Sequence, residues 1–394
     1  MKKQFVLVFI TILTVTVLAV GAFASEERSY DLDWYGYFKL DGSFDQNLTS
    51  HGNFVMWVNQ KTYDDDDQQF NMTANQTRFG VKLNNKQYDN VSVNGQLEFD
   101  LYAAVTDATI AENKAMLQLR HAYFSVTSGN WQLVAGQTWD LLSPLNPATL
   151  NYPVLWGCGN IGYRRPQVTL KYNLQPGENT NVTVASGFFR TIGSDLTPSF
   201  SLATGETKDV SDDGTDAAIP SVQGLLDINH KFESGASFRV GVSGLWGQMK
   251  SETSLGNSEN YESWAVNGHL MLSVSQNLGL SGEAYTGSNL GSYMGGVINA
   301  STIDGVNSIG GWGALWFKPV SKVKLSAGYG LDNPDDEDLN LNQRTKNQCI
   351  YGNLTVALVS QVSVGLEVSQ WETTYQDSDV VESIRAQTSF ILNF

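Results

Sequence analysis

Nine basic residues fall on one parity of short alternating segments: Lys39, Arg78, Lys82, Arg120, Arg165, Lys171, Arg239, Lys324 and Arg385. Arg164 stands beside Arg165 at the end of a long connection. In an extended chain neighbouring side chains point to opposite faces, so these cations stand opposite the apolar residues between them. A guanidinium grips a carboxylate through two parallel hydrogen bonds, and cations along a narrow aqueous passage with low-dielectric walls concentrate anions. Seven of the nine lie on segments that become neighbours if the last segment pairs with the first. Acids of the same parity on that arc are fewer: Asp41, Glu98 and Asp100. Two readings stay open, an arc that binds anions or cations that pair with Glu98 and Asp100 to hold a wall. The chain carries 40 acids against 24 basic residues and a net charge of −16, which argues against nucleic acid as a partner. Most of the acids sit in long polar stretches: Asp64–Asp67, then Asp209, Asp212, Asp213 and Asp216, then Asp332, Asp335, Asp336, Glu337 and Asp338.

The elements that would position these residues are strands of about ten residues. Alternation is read at 33–42, 73–83, 91–102, 115–125, 131–138, 166–175, 180–189 and 221–232, and again at 236–248, 261–275, 278–287, 306–318, 322–331, 346–358, 362–374 and 381–394. In the first, Trp34, Phe38 and Leu40 oppose Tyr35, Tyr37, Lys39 and Asp41; in the fourth, Leu117, Leu119 and Tyr123 oppose Gln118 and Arg120. His121, Ser125, Asn75, Thr77 and Gln137 share the outward parity. Tight connections alternate with long polar ones at 43–71, 139–165, 190–220, 249–260, 288–305 and 332–345. About sixteen antiparallel strands with short turns at one end and long loops at the other imply an all-β, up-and-down transmembrane barrel, with periplasmic turns and extracellular loops. Lipid cannot satisfy backbone N–H and C=O groups, and a closed sheet pairs them all. Residues 1–24 read as a signal peptide, with Lys2, Lys3, an apolar run and Ala22-Phe23-Ala24 before the cut, leaving 25–394 as the barrel. The final strand closes on Phe390, Leu392 and Phe394, an alternating terminus that resembles the assembly signal of bacterial outer-membrane barrels. This places the protein in the outer membrane of a Gram-negative-type bacterium, among lipid and lipopolysaccharide.

One connection stands apart. Residues 139–165 are rich in Pro, Gly and Asn, and such length between neighbouring strands usually means function. The motifs GQTWDLLSPLNP (136–147), LWGCGNIGYRRPQ (155–167) and LRHAYF (119–124) closely resemble the third, inward-folded loop of the DcaP-like outer-membrane porins and the strand before it. The resemblance extends from Trp34 to Phe394, without the N-terminal coiled coil of some members. It implies a homotrimeric passive diffusion channel for small hydrophilic solutes, with a preference for anions such as dicarboxylates. It also makes 139–165 a constriction loop carrying Asn146, Tyr152, Trp156 and Asn160. The pore-lining, anion-binding residues are then Lys39, Arg78, Lys82, Arg120, Arg164, Arg165, Lys171 and Arg385.

Other chemistries fit less well. An adhesin or structural anchor presenting acidic loops is the alternative function, but it would not need a basic arc. Asp332 onwards has Glu337 and Gln343 where a calcium loop needs Gly and Glu, so no metal or other cofactor is expected. A solvated acidic rim is the simpler reading, beside an ion-bridged contact with lipopolysaccharide phosphates. The four histidines assemble no nucleophile–base–orienter set, so an enzyme is not expected. Cys158 and Cys349 form a lone pair in an exported chain, a possible disulfide or two buried thiols.

Overall fold

The computed structural model describes residues 30–61, 67–85, 90–103, 115–193, 213–252 and 258–394. The expected leader 1–24, Asp64–Asp66, Asp209 and Asp212 lie outside the described residues. The first strands are β1 (Tyr30–Asp45), β2 (Gln69–Thr73), β3 (Arg78–Asn85), β4 (Val91–Ala103), β5 (Met116–Ser128) and β6 (Trp131–Trp139). They are followed by β7 (Arg164–Gly177), β8 (Thr180–Phe189), β9 (Ser221–Lys231), β10 (Ser237–Glu252), β11 (Ser258–Ser275) and β12 (Leu278–Ser288). The chain closes with β13 (Asn307–Val320), β14 (Val323–Pro334), β15 (Arg344–Ala357), β16 (Val362–Tyr375) and β17 (Val381–Asn393). All belong to one antiparallel sheet. β2 and β3 occupy one position, both pairing with the same edge of β1, so the barrel has sixteen strands.

Closure joins the ends of the chain. β1 pairs with β17 from Tyr37↔Asn393 to Asp45↔Arg385. Gly36 and Phe394 then exchange two backbone hydrogen bonds of 3.1 Å, and the Phe394 ring lies 5.3 Å from that of Phe38. The expected side-chain alternation is present in β1: Trp34, Phe38 and Leu40 are exposed on the outer surface, while Lys39 and Asp41 are buried inside. Exposed Leu170, Leu226, Val240, Leu270, Leu315, Leu325 and Leu366 continue the apolar exterior around the barrel. In water such a continuous band would be costly; against lipid hydrocarbon it is the favourable surface.

Three local departures from simple alternation matter. The segment read as one strand at 73–83 breaks at 74–77, and the Lys39 N–H left by the gap donates to Thr77 Oγ1 at 3.2 Å. In β5 the register steps from Glu98↔His121 to Phe99↔Leu119, a bulge that places one extra residue at Arg120–His121. Beyond it the parity inverts, so His121, Tyr123 and Ser125 turn inward and Phe124 outward. This corrects the outward placement of all three. Finally, β14 runs three residues past its expected end, which puts Asp332 into the wall, fully buried, rather than on an acidic rim. Asp335 does remain in the loop, where its carboxylate caps a 3-10 turn at Asp336–Asp338.

The outward assignment is testable at Leu270, on the outer face of β11. Leu270→Arg should lower the unfolding free energy in lipid vesicles by roughly 2–4 kcal/mol by urea titration, the cost of a cation on the lipid face near the midplane. Leu270→Val should fall within about 1.5 kcal/mol of the parent.

Candidate pore constriction

The third long link, 140–163, turns into the barrel, and its backbone is held by the inner wall almost all the way round. The Leu141 N–H donates to Gln223 Oε1 on β9 at 2.8 Å. The Leu142 carbonyl accepts from Ser243 on β10 and from Asn267 Nδ2 on β11 at 2.9 Å. Glu283 on β12 accepts from the Ser143 hydroxyl and, at 2.9 Å, from the Leu145 N–H. Further on, Asn353 of β15 donates to the Ala148 carbonyl at 2.6 Å. Glu367 of β16 accepts the N–H groups of Leu150 at 2.6 Å and Asn151 at 3.2 Å. Lys39 of β1 and Gln387 of β17 both donate to the Leu150 carbonyl, at 2.9 and 3.1 Å. Tyr152 then reaches β4 and β5, its hydroxyl 3.2 Å from Asp100 and 3.0 Å from Gln118.

The returning half is seated by shape and apolar burial. Leu155 and Cys158 pack with Val55, Trp312, Cys349 and Trp371 in one buried cluster; Leu142 and Ile161 join Tyr285, Leu290 and Tyr293 in another. Gly159 has φ +97°, and a Cβ there would collide with the carbonyl of Gly311, so only glycine lets the loop lie against β13. The base of the loop is tied by Asp140, which accepts the N–H groups of Leu142 (3.2 Å) and Tyr163 (3.0 Å) and pairs with Arg165 at 3.6 Å. Burial pushes the Asp140 carboxyl above the usual carboxylate range, with Arg165 and the two N–H donors acting against the shift.

All four residues expected on the constriction lie in this loop. Asn160 is fully buried, donating to Asn146 Oδ1 at 3.3 Å and to the Val154 carbonyl at 2.8 Å. Trp156 is buried, Tyr152 is half-buried, and Asn146 is exposed. Cys158 and Cys349 are free thiols in the same cluster rather than a bonded pair. The Cys158 thiol is directed at the carbonyl oxygens of Gly330 (3.4 Å) and Asn347 (3.8 Å).

The eight expected pore-lining cations divide into two groups. Arg120 is bound by Glu98 (2.7 Å) and Asp100 (2.6 Å), Arg385 by Asp45 (2.7 Å), and Lys39 by Asp41 (3.2 Å). Arg165 is fully buried over the Tyr293 ring, 3.7 Å from its centroid. Arg164 is buried against Trp139, Trp156 and Tyr163, donating to the Tyr163 hydroxyl at 3.0 Å. These five therefore do not line an open passage; they fix loops and wall. The other three keep access to the lumen. Lys82 is exposed, Lys171 half-buried, and the Arg78 side chain is 22% exposed, 3.5 Å from Glu98.

Sequence reasoning missed the acids that do most of the holding, Glu283, Glu367 and Asp332. Each sits at inward parity on its strand, which was the available signal. Asp332 accepts from the Tyr285 hydroxyl at 2.6 Å and the Val297 N–H at 3.0 Å, seating a second inward link at 289–306. Also missed was Asp227 on β9, bracketed by Arg239 at 2.9 Å and His269 at 2.7 Å.

No family model matches the chain, and no curated protein matches it. Solved structures do. The chain is similar to the outer membrane channel DcaP of Acinetobacter baumannii, at 21% identity and TM-score 0.69 over 94% of this chain and 99% of that one. It is also similar to an anion-selective porin from Comamonas acidovorans, at 10% identity and TM-score 0.55 over 93% and 100% of the two chains. The trimer form of OmpT, an outer membrane protein of Vibrio cholerae, matches at 10% identity and TM-score 0.54 over 93% and 100%. At these identities the likeness establishes a shared fold, that of the outer-membrane porin barrels.

The seat of the loop predicts its own failure. Glu367→Ala leaves the N–H groups of Leu150 and Asn151 without their acceptor, a cost of roughly 2–6 kcal/mol. The expected result is faster proteolysis within 140–163 of the folded protein. Gly159→Ala should act in the same direction through the clash with Gly311.

Proposed function

We propose that the chain is a passive diffusion channel of the bacterial outer membrane that prefers small anionic solutes. One observation carries the reading. Of the inward acids among the described residues, Asp41, Asp45, Glu98, Asp100, Asp227, Glu283, Asp332 and Glu367 are buried and only the strand-end residues Asp31, Asp33 and Glu259 are exposed, whereas Arg78, Lys82, Lys171 and Arg239 retain access to the lumen. Away from those strand ends the field felt by a solute is set by the accessible cations, and low-dielectric walls strengthen it. The resemblance in the loop motifs adds dicarboxylates as the solute class, and an anion-selective porin shares the fold. The apolar exterior and the porin-type fold support the membrane assignment, and the sequence of residues 1–24 supports export.

Assembly as a homotrimer is part of the same proposal. A trimeric protein shares the fold. The outer face of β1 and β2 carries the two most exposed large aromatics of the described residues, Phe70 at 72% and Trp34 at 71%. We place the subunit contact on β1–β6 and β17. Of the polar residues read as outward on these strands, Asn75, Thr77, His121 and Gln137, His121 has turned inward, and Gln137 already donates to the Leu119 carbonyl at 2.8 Å.

Two measurements test this reading. In a salt gradient the protein should give an anion-selective reversal potential. The variant combining Arg78→Gln, Lys82→Gln and Lys171→Gln should move it toward cations, with a smaller shift at 1 M salt, where the Debye length is about 3 Å. An unchanged potential would refute the electrostatic argument. For assembly, a bifunctional thiol reagent should link subunits through Phe70→Cys in a Cys158→Ser, Cys349→Ser background, and should fail to link them through Leu325→Cys.

A further inference from the structure

A cavity of about 250 Å³ lies on the inner wall, below the point where the constriction loop leaves β6. Tyr123, Ser125, Gln132 and Thr138 line it from β5 and β6, and Lys171 and Arg239 from β7 and β10. Trp139 at the end of β6 and Leu141 and Pro144 of the loop base complete its lining.

Its charges nearly cancel. Arg239 is matched by Asp227 at 2.9 Å and is further fixed by donating to the Pro144 carbonyl at 3.5 Å. Asp227 in turn faces His269 at 2.7 Å. Asp140, at the edge of the cavity, is matched by Arg165 and two backbone N–H groups. That leaves Lys171, which has no acid and no side-chain hydrogen-bond partner among the described residues. The cavity therefore presents one unmatched positive charge. Around it stand neutral groups that donate and accept: the Ser125 hydroxyl, the Thr138 hydroxyl, which keeps one further hydrogen-bonding site beside its 3.0 Å contact with His121 Nδ1, and the Gln132 amide, which spends one N–H on Thr127 at 3.3 Å. Trp139 adds an aromatic surface.

We propose that this cavity is a binding site for a small hydroxylated monocarboxylate of the sugar-acid type. Its carboxylate pairs with Lys171, its hydroxyls exchange hydrogen bonds with Ser125, Gln132 and Thr138, and its C–H face rests on Trp139. A single carboxylate suits the site, because a second would meet only cations already matched and the acids Asp140 and Asp227. The site rests on the anion-channel reading for access from the lumen and adds, beside the dicarboxylates, a monocarboxylate that binds at this wall.

The test is block of chloride current in planar bilayers by the purified full-length protein, with gluconate as the probe and propionate as the control of equal charge and no hydroxyls. Gluconate should block saturably, and propionate should need about tenfold more, the loss expected from hydroxyl contacts. Lys171→Gln should raise the half-blocking gluconate concentration about tenfold, Lys171→Arg should restore it to within about threefold, and Lys322→Gln on a distant turn should leave it unchanged. Block by gluconate that is the same in Lys171→Gln, or equal block by propionate, would overturn the site. A wild-type channel that prefers cations yet is blocked by gluconate through Lys171 would remove the selectivity reading and keep the site.

Discussion

A peptide segment packed inside a barrel must find acceptors for its N–H groups away from bulk water, and this constraint orders the rest of the molecule. Unpaired buried donors cost of the order of a few kcal/mol each. The wall answers with carboxylates. Glu283 takes Leu145, Glu367 takes Leu150 and Asn151, Asp332 takes Val297, and Asp140 takes Leu142 and Tyr163. Charged acceptors make stronger hydrogen bonds than neutral ones, and a carboxylate can serve several donors at once. A wall of glutamines would offer competing donors of its own.

That use of acids sorts the charges of the lumen. A chain with a net charge of −16 would present a negative interior if its acids were free. Most of those on the wall are instead buried against backbone N–H groups, guanidinium groups or, for Asp41, the Lys39 ammonium, with Asp31 and Asp33 exposed at the start of β1. Lys82 and Lys171 have no ion pair within 4 Å among the described residues. On the proposed anion-channel reading, the holding of the loop and the sign of the passage are two faces of one arrangement. Of the two roles weighed for the arc of cations, Arg120 and Arg385 follow the wall-holding one, while Arg78 and Lys82 keep the geometry needed for the other.

Most of the barrel was legible because period-two alternation against lipid is nearly forced: about sixteen strands and their order could be read from Trp34 to Phe394, while the inward fold of the long link came from the resemblance carried by its motifs. The misreadings have local physical causes. A bulge is one residue long and leaves composition untouched, so LRHAYF gave no sign that His121 and Tyr123 would turn inward. Asp332 looked like a loop acid because acids follow it, yet Tyr285 and Val297 draw it into the wall. Burial of Arg164 and Arg165 depends on Trp156 and Tyr293, which come from two different links and meet only in the folded lumen. No pattern along a single strand records such a meeting.

The Leu150 carbonyl has a further consequence for the order of assembly. Its two donors, Lys39 and Gln387, stand on the first strand and the last, which neighbour each other only when the sheet has closed. Residues 348 positions apart in the chain must therefore meet before that part of the loop has its partners. Contacts of such long sequence separation form late and slowly, because the loop entropy must be overcome first. The seated constriction is in this sense a reporter of completed closure: an unfinished sheet leaves the loop unlatched, and the passage takes its narrow form only in a barrel that has joined its own ends.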